Sequence, residues 1–218
     1  HCLSSWGRDF RTSYLELAKQ CREEFSDVPV TALTATATLE TKTDIQKSLQ
    51  IPTYNIIEAS MFRPNLLITV TERPPLKQLL KQIVQLFSIH NINGTDGVAI
   101  VYSLSRKDCE KNANLLRESG ILATAYHAGL DTAVRKQIQT DWKQGLIQTV
   151  VATVAFGMGI DQPNVRMVLH TNMPKNLDNY YQEIGRGGRD GKDCNVYLYY
   201  NYADKIRLHH MMTSSKDK

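Results

Sequence analysis

The chain has 218 residues, 42% of them hydrophobic, so it can bury a sizeable core and suits one complete domain with part of another. No apolar stretch approaches about 18 residues, which excludes a transmembrane helix and a secretory signal and predicts a soluble, non-secreted protein. The net charge is +4, and the basic excess lies after residue 75, where 18 Lys+Arg face 13 Asp+Glu. Binding to a phosphate-rich partner would explain this asymmetry, although an ordinary solvated surface explains it about as well.

The cysteine pattern indicates reduced thiols. The chain has four cysteines, at positions 2, 21, 109 and 194, and they form no CxxC pair. Disulfide frameworks and structural zinc sites are recognised by closer, paired spacings. We therefore expect an intracellular protein in which no complete metal site is visible from the sequence.

The first predicted elements form a piece of an α/β sheet. Apolar residues at helical spacing predict a helix over residues 12–25, and the short apolar run Val30–Leu33 predicts a strand. Thr38 is suited to cap a second helix that ends at the Ile51-Pro52 step, because the residue before proline disfavours helical geometry. Nothing precedes His1 to pair with the lone strand, so this segment is interpreted as the remnant of a domain.

A connector is predicted near residue 62. Arg63-Pro64 and Pro74-Pro75 lie on either side of the β-rich run Leu66–Val70, a composition that suggests a link into a new unit. We predict three parts: residues 1–61 as the remnant of a first lobe, residues 62–200 as a complete lobe, and residues 201–218 as a tail or the start of a further subdomain.

The segment after the connector has the alternation of strands and helices that is typical of an α/β domain. Strands are predicted at Val98–Tyr102, Ala123–Tyr126, Thr149–Val154, Val165–His170 and Val196–Tyr200. Ser105 and Asp131 precede helices that Gly120 and Gly145 close. The pattern predicts a mostly parallel sheet with helices on both faces.

Loops at the carboxyl ends of strands usually carry the chemistry of such sheets. The loop after Thr149–Val154 has Gly157 and Gly159 two residues apart, which lets backbone approach a ligand closely. Asp161 supplies an acceptor for a ribose hydroxyl or a partner arginine. A glycine turn with an aspartate cap is an equally acceptable interpretation of this loop.

A second loop carries two arginines. In Gln182–Gly191, Arg186 and Arg189 lie three residues apart among four glycines, which predicts a flexible ledge without bulky side chains. The planar guanidinium suits the equatorial oxygens of a transferring phosphoryl group. Structural salt bridges are the alternative role for the two arginines.

Near the N-terminus, Trp6 and Phe10 interleave with Arg8 and Arg11. Bases stacked on aromatic rings with arginines on the backbone hold single-stranded nucleic acid, whereas two core aromatics flanked by surface charge are the alternative. The sequence has no GxxxxGK[ST] and no GxGxxG, so the chain alone cannot cradle a triphosphate.

Taken in this order, the motifs resemble the RecQ family of superfamily-two helicases, from His1 to about Met212. His1-Cys2 resembles the end of a DEAH-Cys Walker B motif whose acids are cut away, and Trp6–Arg11 resembles the aromatic-rich loop distinctive of the family, with Ser5 in place of Gln and Arg8 in place of His. The other matches are Leu33–Thr38 to motif III, Phe62–Asn65 to the interlobe segment, Ile100–Arg106 to motif IV, Ala125–Leu130 and Val151–Asp161 through motif V, and Gln182–Gly191 to motif VI.

The resemblance implies two RecA-like lobes that close over ATP and Mg²⁺, with this chain supplying the second lobe of a 3′–5′ DNA helicase. Arg189 would be the arginine finger and Arg186 its phosphate-facing partner. Further roles implied by the resemblance are nucleotide binding by Gly159, Asp161 and Gln182, coupling by Thr36 and Thr38, and contact with DNA by Trp6, Arg8, Phe10, Arg11, Ser103, Arg106, His127 and Thr153. Motif VI usually has alanine where Gly187 stands, a change expected to loosen the loop. Cys194 resembles the first of four zinc-binding cysteines, so zinc is expected only in a longer protein.

The resemblance also implies the setting: single-stranded and forked DNA as partner, no membrane, a nuclear or nucleoid location, and work in repair, recombination or replication. As it stands, the chain is alternatively a DNA- and nucleotide-binding module without ATPase activity, because it has neither a Walker A loop nor the Walker B acids. Another superfamily-two protein, such as an RNA helicase or chromatin remodeller, is a third interpretation, against which the Trp6–Arg11 loop and Cys194 argue.

Overall fold

The computed structural model describes residues 16, 20, 23–25, 28–34, 38–51, 53–92, 97–157 and 160–214, without the side chains of residues 40 and 211–214. Most of the predicted helix over 12–25 lies outside these ranges. So do six of the predicted site residues, namely Trp6, Arg8, Phe10, Arg11, Thr36 and Gly159. The chain divides into two compact units, His1–Phe62 and Arg63–Lys218.

The first unit contains helix α1, Leu39–Ser48, and the predicted cap is confirmed. The Thr38 hydroxyl accepts a hydrogen bond from the Thr41 backbone N–H at 3.2 Å, which satisfies one of the free donors of the first helical turn. The strand predicted at Val30–Leu33 is wrong: these residues are exposed and belong to no strand. Within the described ranges no neighbouring strand pairs with their backbone, and an extended segment without a ladder is not a strand.

The second unit contains the predicted α/β domain. In chain order its elements are β1 Leu66–Glu72, α2 Leu76–Ile89, β2 Val98–Tyr102, α3 Arg106–Glu118, β3 Ala123–Tyr126, α4 Thr132–Lys143, β4 Thr149–Ala152, β5 Val165–His170, α5 Leu177–Ile184, β6 Cys194–Tyr200 and α6 Tyr202–Ser214. Within the described ranges, no helix is both long and apolar enough to cross a membrane.

The described strands form one six-stranded sheet in the order β1-β6-β5-β2-β4-β3, and every pairing is parallel, as predicted. The β-rich run Leu66–Val70, predicted to lie in a connector into the second unit, forms part of β1, the edge strand of that unit's sheet. Its register runs from Leu66 opposite Cys194 to Glu72 opposite Tyr200. That pairing joins segments far apart in the chain, so local composition does not reveal it.

Helices cover both faces of the sheet, which confirms the predicted α/β class. Successive residues of β2 point to opposite sides: Val101 packs in the cluster under α2 and α3, and Ile100 packs in the cluster under α4 and α5. Phe87 of α2 and Trp142 of α4 are sealed in the two clusters. Each fully buried side chain of this kind contributes about 2 kcal/mol to folding.

The predicted helix boundaries hold with one difference. The Ser105 hydroxyl accepts from the backbone N–H of Asp108 at 3.1 Å, and α3 is closed by Gly120 at φ +84°. Asp131 precedes α4 as expected, but its side chain makes no cap hydrogen bond; its backbone carbonyl accepts from Arg135 at 2.9 Å instead.

Candidate nucleotide and nucleic-acid surfaces

Four parallel strands end at one edge of the sheet and bring distant polar residues together. Ser103 follows β2, His127 follows β3, Thr153 follows β4 and Thr171 follows β5. The Ser103 hydroxyl accepts from Asn112 Nδ2 at 3.0 Å and from Thr171 Oγ1 at 3.4 Å. Thr171 and Asn112 belong to this edge although the sequence interpretation did not include them; their only signal is their place after a strand or on the helix that follows one.

The predicted DNA contacts at this edge differ in accessibility. Arg106 is exposed at the start of α3, and its guanidinium lies over Gly129. Thr153 is half-buried and accepts from the Ala155 N–H at 3.4 Å. Ser103 and His127 are only 6% and 4% exposed, and His127 Nε2 lies 3.0 Å from Glu110 Oε1. Direct contact of these two with a phosphate therefore requires their present bonds to rearrange.

The glycine and arginine loop after α5 is clamped from the beginning of the second unit. Arg63 donates to the carbonyls of Gly185 at 3.0 Å, Gly187 at 2.8 Å and Gly188 at 2.6 Å. Asn65 donates to the carbonyls of Gly188 and Lys192, both at 2.9 Å. The predicted flexible ledge is therefore wrong, since five hydrogen bonds from two side chains hold this backbone in place.

Close packing also restrains the loop. Gly188 has φ +53°, a region that side chains disfavour, and an added Cβ would collide with the carbonyl of Lys192. An added Cβ at Gly187 would collide with the Cys194 thiol, so an alanine there needs that side chain to turn. Glycine at 187 thus allows tight packing of the loop rather than loosening it.

Both predicted catalytic arginines contact the loop that follows β4. Arg186 Nη1 donates to the carbonyl of Gly157, and its Nε is buried without a hydrogen-bond partner among the described residues. Arg189 Nη1 donates to the carbonyl of Ile160 at 3.0 Å and to Asp161 Oδ1 at 2.9 Å. The fold therefore brings three residues of the predicted nucleotide site together, whereas the described contacts do not tie Gln182, exposed on α5, to them.

The two arginines have different surroundings. Arg186 is half-buried against backbone, whereas the side chains of Arg189 and Asp161 are 36% and 81% exposed. An exposed ion pair of this kind is weak, because water screens it and two long side chains lose freedom in forming it. Arg186 is thus fixed in place, and Arg189 is easily redirected toward another anion.

Tyr102 contacts the loop after β4 and was not among the residues predicted from the sequence. Its hydroxyl donates to the carbonyl of Phe156 at 3.2 Å, and burial raises the pKa of this phenol far above its usual range, although the nearby Arg186 opposes the shift. The phenol therefore stays protonated and remains a donor. An aromatic residue at the end of a buried strand is the only sequence signal for it.

Cys194 shows no sign of a metal site. The side chain is buried, and burial raises the pKa of its thiol to about 12. The described residues contain no group of three or more histidine, cysteine or acidic side chains that could hold a metal ion. The residues present in this part of the chain do not fit zinc.

The arrangement supplies two kinds of chemistry. Two guanidinium groups beside one carboxylate suit a polyphosphate joined to a ribose, since arginine pairs with phosphate oxygens and aspartate accepts from hydroxyls. The orphaned Nε of Arg186 is a buried donor with capacity for one more acceptor. The carboxyl edge, with Arg106 exposed and hydroxyls beside it, suits a phosphodiester backbone.

Comparison with known proteins agrees with this arrangement. The family model of the helicase conserved C-terminal domain matches residues 77–191. The chain is 41% identical over 218 residues to the RecQ-like DNA helicase BLM of Xenopus laevis, and the aligned region covers 100% of this chain and 16% of the relative. It is 41% identical over 205 residues to the ATP-dependent DNA helicase RecQ of Haemophilus influenzae, and the aligned region covers 94% of this chain and 32% of the relative.

The fold is also similar to that of solved helicase structures. The solved structure of Saccharomyces cerevisiae Dbp5 bound to RNA and ADP BeF3 superposes with a TM-score of 0.61 at 20% identity, covering 89% of this chain and 52% of that one. The sheet and its helices therefore have the fold of a RecA-like lobe. The chain belongs to the helicase conserved C-terminal domain family and, within it, to the RecQ family of superfamily-two helicases. It spans about a third or less of the length of these curated relatives.

Proposed function

We propose that this chain is the second motor lobe of an ATP-dependent 3′–5′ DNA helicase of the RecQ type. One observation carries the proposal: Arg186 and Arg189 both bond to the loop after β4, at Gly157 and at Ile160 with Asp161. This contact makes one surface from motifs V and VI. Such a surface is what a second lobe needs to complete an ATP site formed on another lobe.

Toward the nucleotide, the residues divide the work. ATP held with Mg²⁺ would supply the γ-phosphoryl group, which is transferred to water as ADP leaves. Arg189 leaves its weak pair with Asp161 and donates to the oxygens on which charge develops, which is the role of an arginine finger. Arg186 stays on Gly157 and faces the phosphates as a fixed positive charge. Asp161, released from Arg189, accepts from a ribose hydroxyl. A nucleotide-binding role for Gly159 and Gln182 is proposed from the sequence motifs alone.

Toward DNA, the carboxyl edge of the sheet provides the contacts. Arg106 donates to a backbone phosphate, Thr153 adds a hydroxyl, and Ser103 and His127 support this edge from below. The stacking of bases on Trp6 and Phe10, with Arg8 and Arg11 on the backbone, is proposed from sequence, because these residues lie outside the described ranges. Thr36 and Thr38 would transmit closure between the lobes.

The proposal includes single-stranded and forked DNA as the substrate and a nuclear or nucleoid site of action in repair, recombination or replication. Zinc binding through Cys194 stays a prediction that would need ligands beyond the described residues. A DNA- and nucleotide-binding module without turnover is the second candidate function, which is favoured for the 218-residue polypeptide by the lack of a GxxxxGK[ST] loop.

The test uses a form of the protein that includes a GxxxxGK[ST] loop. We expect ATP hydrolysis that rises with single-stranded DNA, and unwinding of a duplex with a 3′ tail but not of the same duplex with a 5′ tail. The Arg106→Ala variant should weaken DNA binding, with Lys143→Ala, an exposed change on α4, as the control. Stimulation by RNA but not by DNA, or unwinding only from a 5′ tail, contradicts the proposal.

A further inference from the structure

A buried histidine and a buried glutamate lie next to the loop that follows α5 and carries Arg186 and Arg189, which we call the arginine loop. His170 is the last residue of β5 and Glu183 lies on α5, and His170 Nε2 is 2.9 Å from Glu183 Oε2. Their side chains are only 2% and 8% exposed. A carboxylate accepts, so Nε2 carries the proton in this bond. Nδ1 is buried without a hydrogen-bond partner in the described part of the chain, so Nε2 makes the only described hydrogen bond of this ring.

The histidine ring also contacts two tyrosines. It stacks on Tyr102 with ring centroids 5.0 Å apart at 22°, and it meets Tyr180 edge to face at 5.0 Å and 65°. Tyr102 donates its hydroxyl to the carbonyl of Phe156 in the loop after β4. The histidine therefore touches α5 on one side and, through Tyr102, the motif V loop on the other.

These contacts close into a circuit. Glu183 lies three residues before Arg186, and Arg186 donates to Gly157, the residue after Phe156. The circuit passes from α5 through His170, Tyr102 and the loop after β4 to Arg186, which lies two residues after the end of α5. A shift of α5 would have to break at least one of these contacts, so the arginine and its carbonyl partner keep a set distance.

Stability alone does not account for the pair. A buried ionic or strongly polar pair generally stabilises a fold no better than apolar side chains of the same volume, because both groups lose their hydration. Its distinguishing property is direction: the 2.9 Å bond and the ring stacking specify one rotation of α5, which apolar packing specifies less strictly.

We propose that His170 and Glu183 are positioning residues that set the rotation of α5 and thereby hold Arg186 on the motif V loop. The inference rests on the proposed function, since the placement of Arg186 matters to the rate only if the chain serves ATP hydrolysis. Neither residue touches nucleotide; both act through the arginine loop.

The first test compares three variants in the ATPase-competent protein. His170→Phe keeps a ring on Tyr102 but removes the donor to Glu183, and it should lower kcat on the order of 10-fold or more with KM for ATP nearly unchanged. Glu183→Gln keeps an acceptor for Nε2 and should retain most of the activity. Leu169→Val is the matched control: Leu169 is buried on the same strand but packs in the cluster on the other face of the sheet, so it should lower stability without lowering kcat.

The second test asks whether the effect passes through the arginine. In an Arg186→Ala background, His170→Phe should lower kcat little further, because the group that it positions is gone. Equal losses in both backgrounds contradict the proposal, as does full kcat in His170→Phe alone.

Hydrogen–deuterium exchange in the same protein separates this inference from the proposed function. His170→Phe should speed exchange of the backbone at residues 155–157 and 185–188, and Leu169→Val should not. If the wild-type protein hydrolyses no ATP but the exchange changes as expected, the proposed function fails and the positioning role stands. If the wild type is active and the variant changes neither kcat nor exchange, the positioning role fails.

Discussion

Asp161 and Arg189 form an ion pair, with Oδ1 and Nη1 2.9 Å apart, that joins the loop after β4 to the loop after α5. The carboxylate is largely exposed, so water screens the attraction. The pair orients Arg189 without holding it firmly. If Arg189 is the proposed arginine finger, an incoming phosphate has to displace it from this exposed pair and from the carbonyl of Ile160.

Replacement of Arg189 should affect the chemical step. An arginine finger meets charge that develops only during phosphoryl transfer, so Arg189→Ala should lower kcat on the order of 10³-fold and change KM for ATP much less. Arg189→Lys should rescue poorly, because an ammonium group does not reproduce the guanidinium fork. Steady-state kinetics of the ATPase-competent protein decide the point, with the exposed Arg117→Ala as the control. A near-normal kcat with a raised KM would assign the finger to Arg186.

Removing the carboxylate charge at position 161 should separate function from folding. Since exposed pairs contribute little, Asp161→Asn should change the free energy of unfolding by no more than about 0.5 kcal/mol, measured by urea denaturation. The same variant should bind ATP more weakly, because Asp161 is the proposed acceptor for the ribose. Unchanged affinity for ATP would limit Asp161 to a structural partner of Arg189.

The arginine loop should depend on Arg63 for its shape. Arg63→Ala removes three hydrogen bonds from a charged donor to the carbonyls of residues 185, 187 and 188. Loss of such a network should cost about 2–3 kcal/mol in the free energy of unfolding. Lys77→Ala, an exposed change at the start of α2, serves as the control in the same denaturation series. Equal stability of the two variants would mean that the loop holds its shape without the clamp.

Two thiols should resist alkylation in the folded protein. Burial raises the pKa of Cys109 to about 11 and that of Cys194 to about 12, from a usual value near 9. Because the thiolate is the reactive form, iodoacetamide at pH 8.5 should modify both slowly until the protein is unfolded, as peptide mass spectrometry can measure. The raised values also mean that the folded state holds these protons more tightly, so stability is present below about pH 9 and falls as the pH rises through 11 and 12. Rapid native labelling of Cys194 would contradict its burial.

The 218-residue polypeptide should not turn over ATP. It contains no GxxxxGK[ST] loop to hold the phosphates, and Arg186 and Arg189 alone cannot replace that cradle. The purified polypeptide should show no DNA-stimulated phosphate release above the Arg189→Ala background. Robust turnover that Arg189→Ala abolishes would contradict this.

Local sequence patterns predicted much of the second unit. β2, β3 and β5 begin and end at the predicted residues, and Ser105 caps α3 as expected. These features depend on residues close together in the chain. Side chains alternate between the two faces along a strand, and a helix-capping side chain bonds to a backbone N–H only a few residues away. The spacing of Arg186 and Arg189 among glycines is likewise a local feature of the sequence.

Contacts between distant parts of the chain decided the rest. The place of β1 beside β6, the clamp of Arg63 on the glycine loop and the burial of His127 arise only when the sheet is assembled. The same holds for the pairing of Asp161 with Arg189. Val30–Leu33 shows that a local pattern can mispredict a strand. Its apolar run alone predicts one, but a strand exists only where a partner backbone supplies the hydrogen bonds.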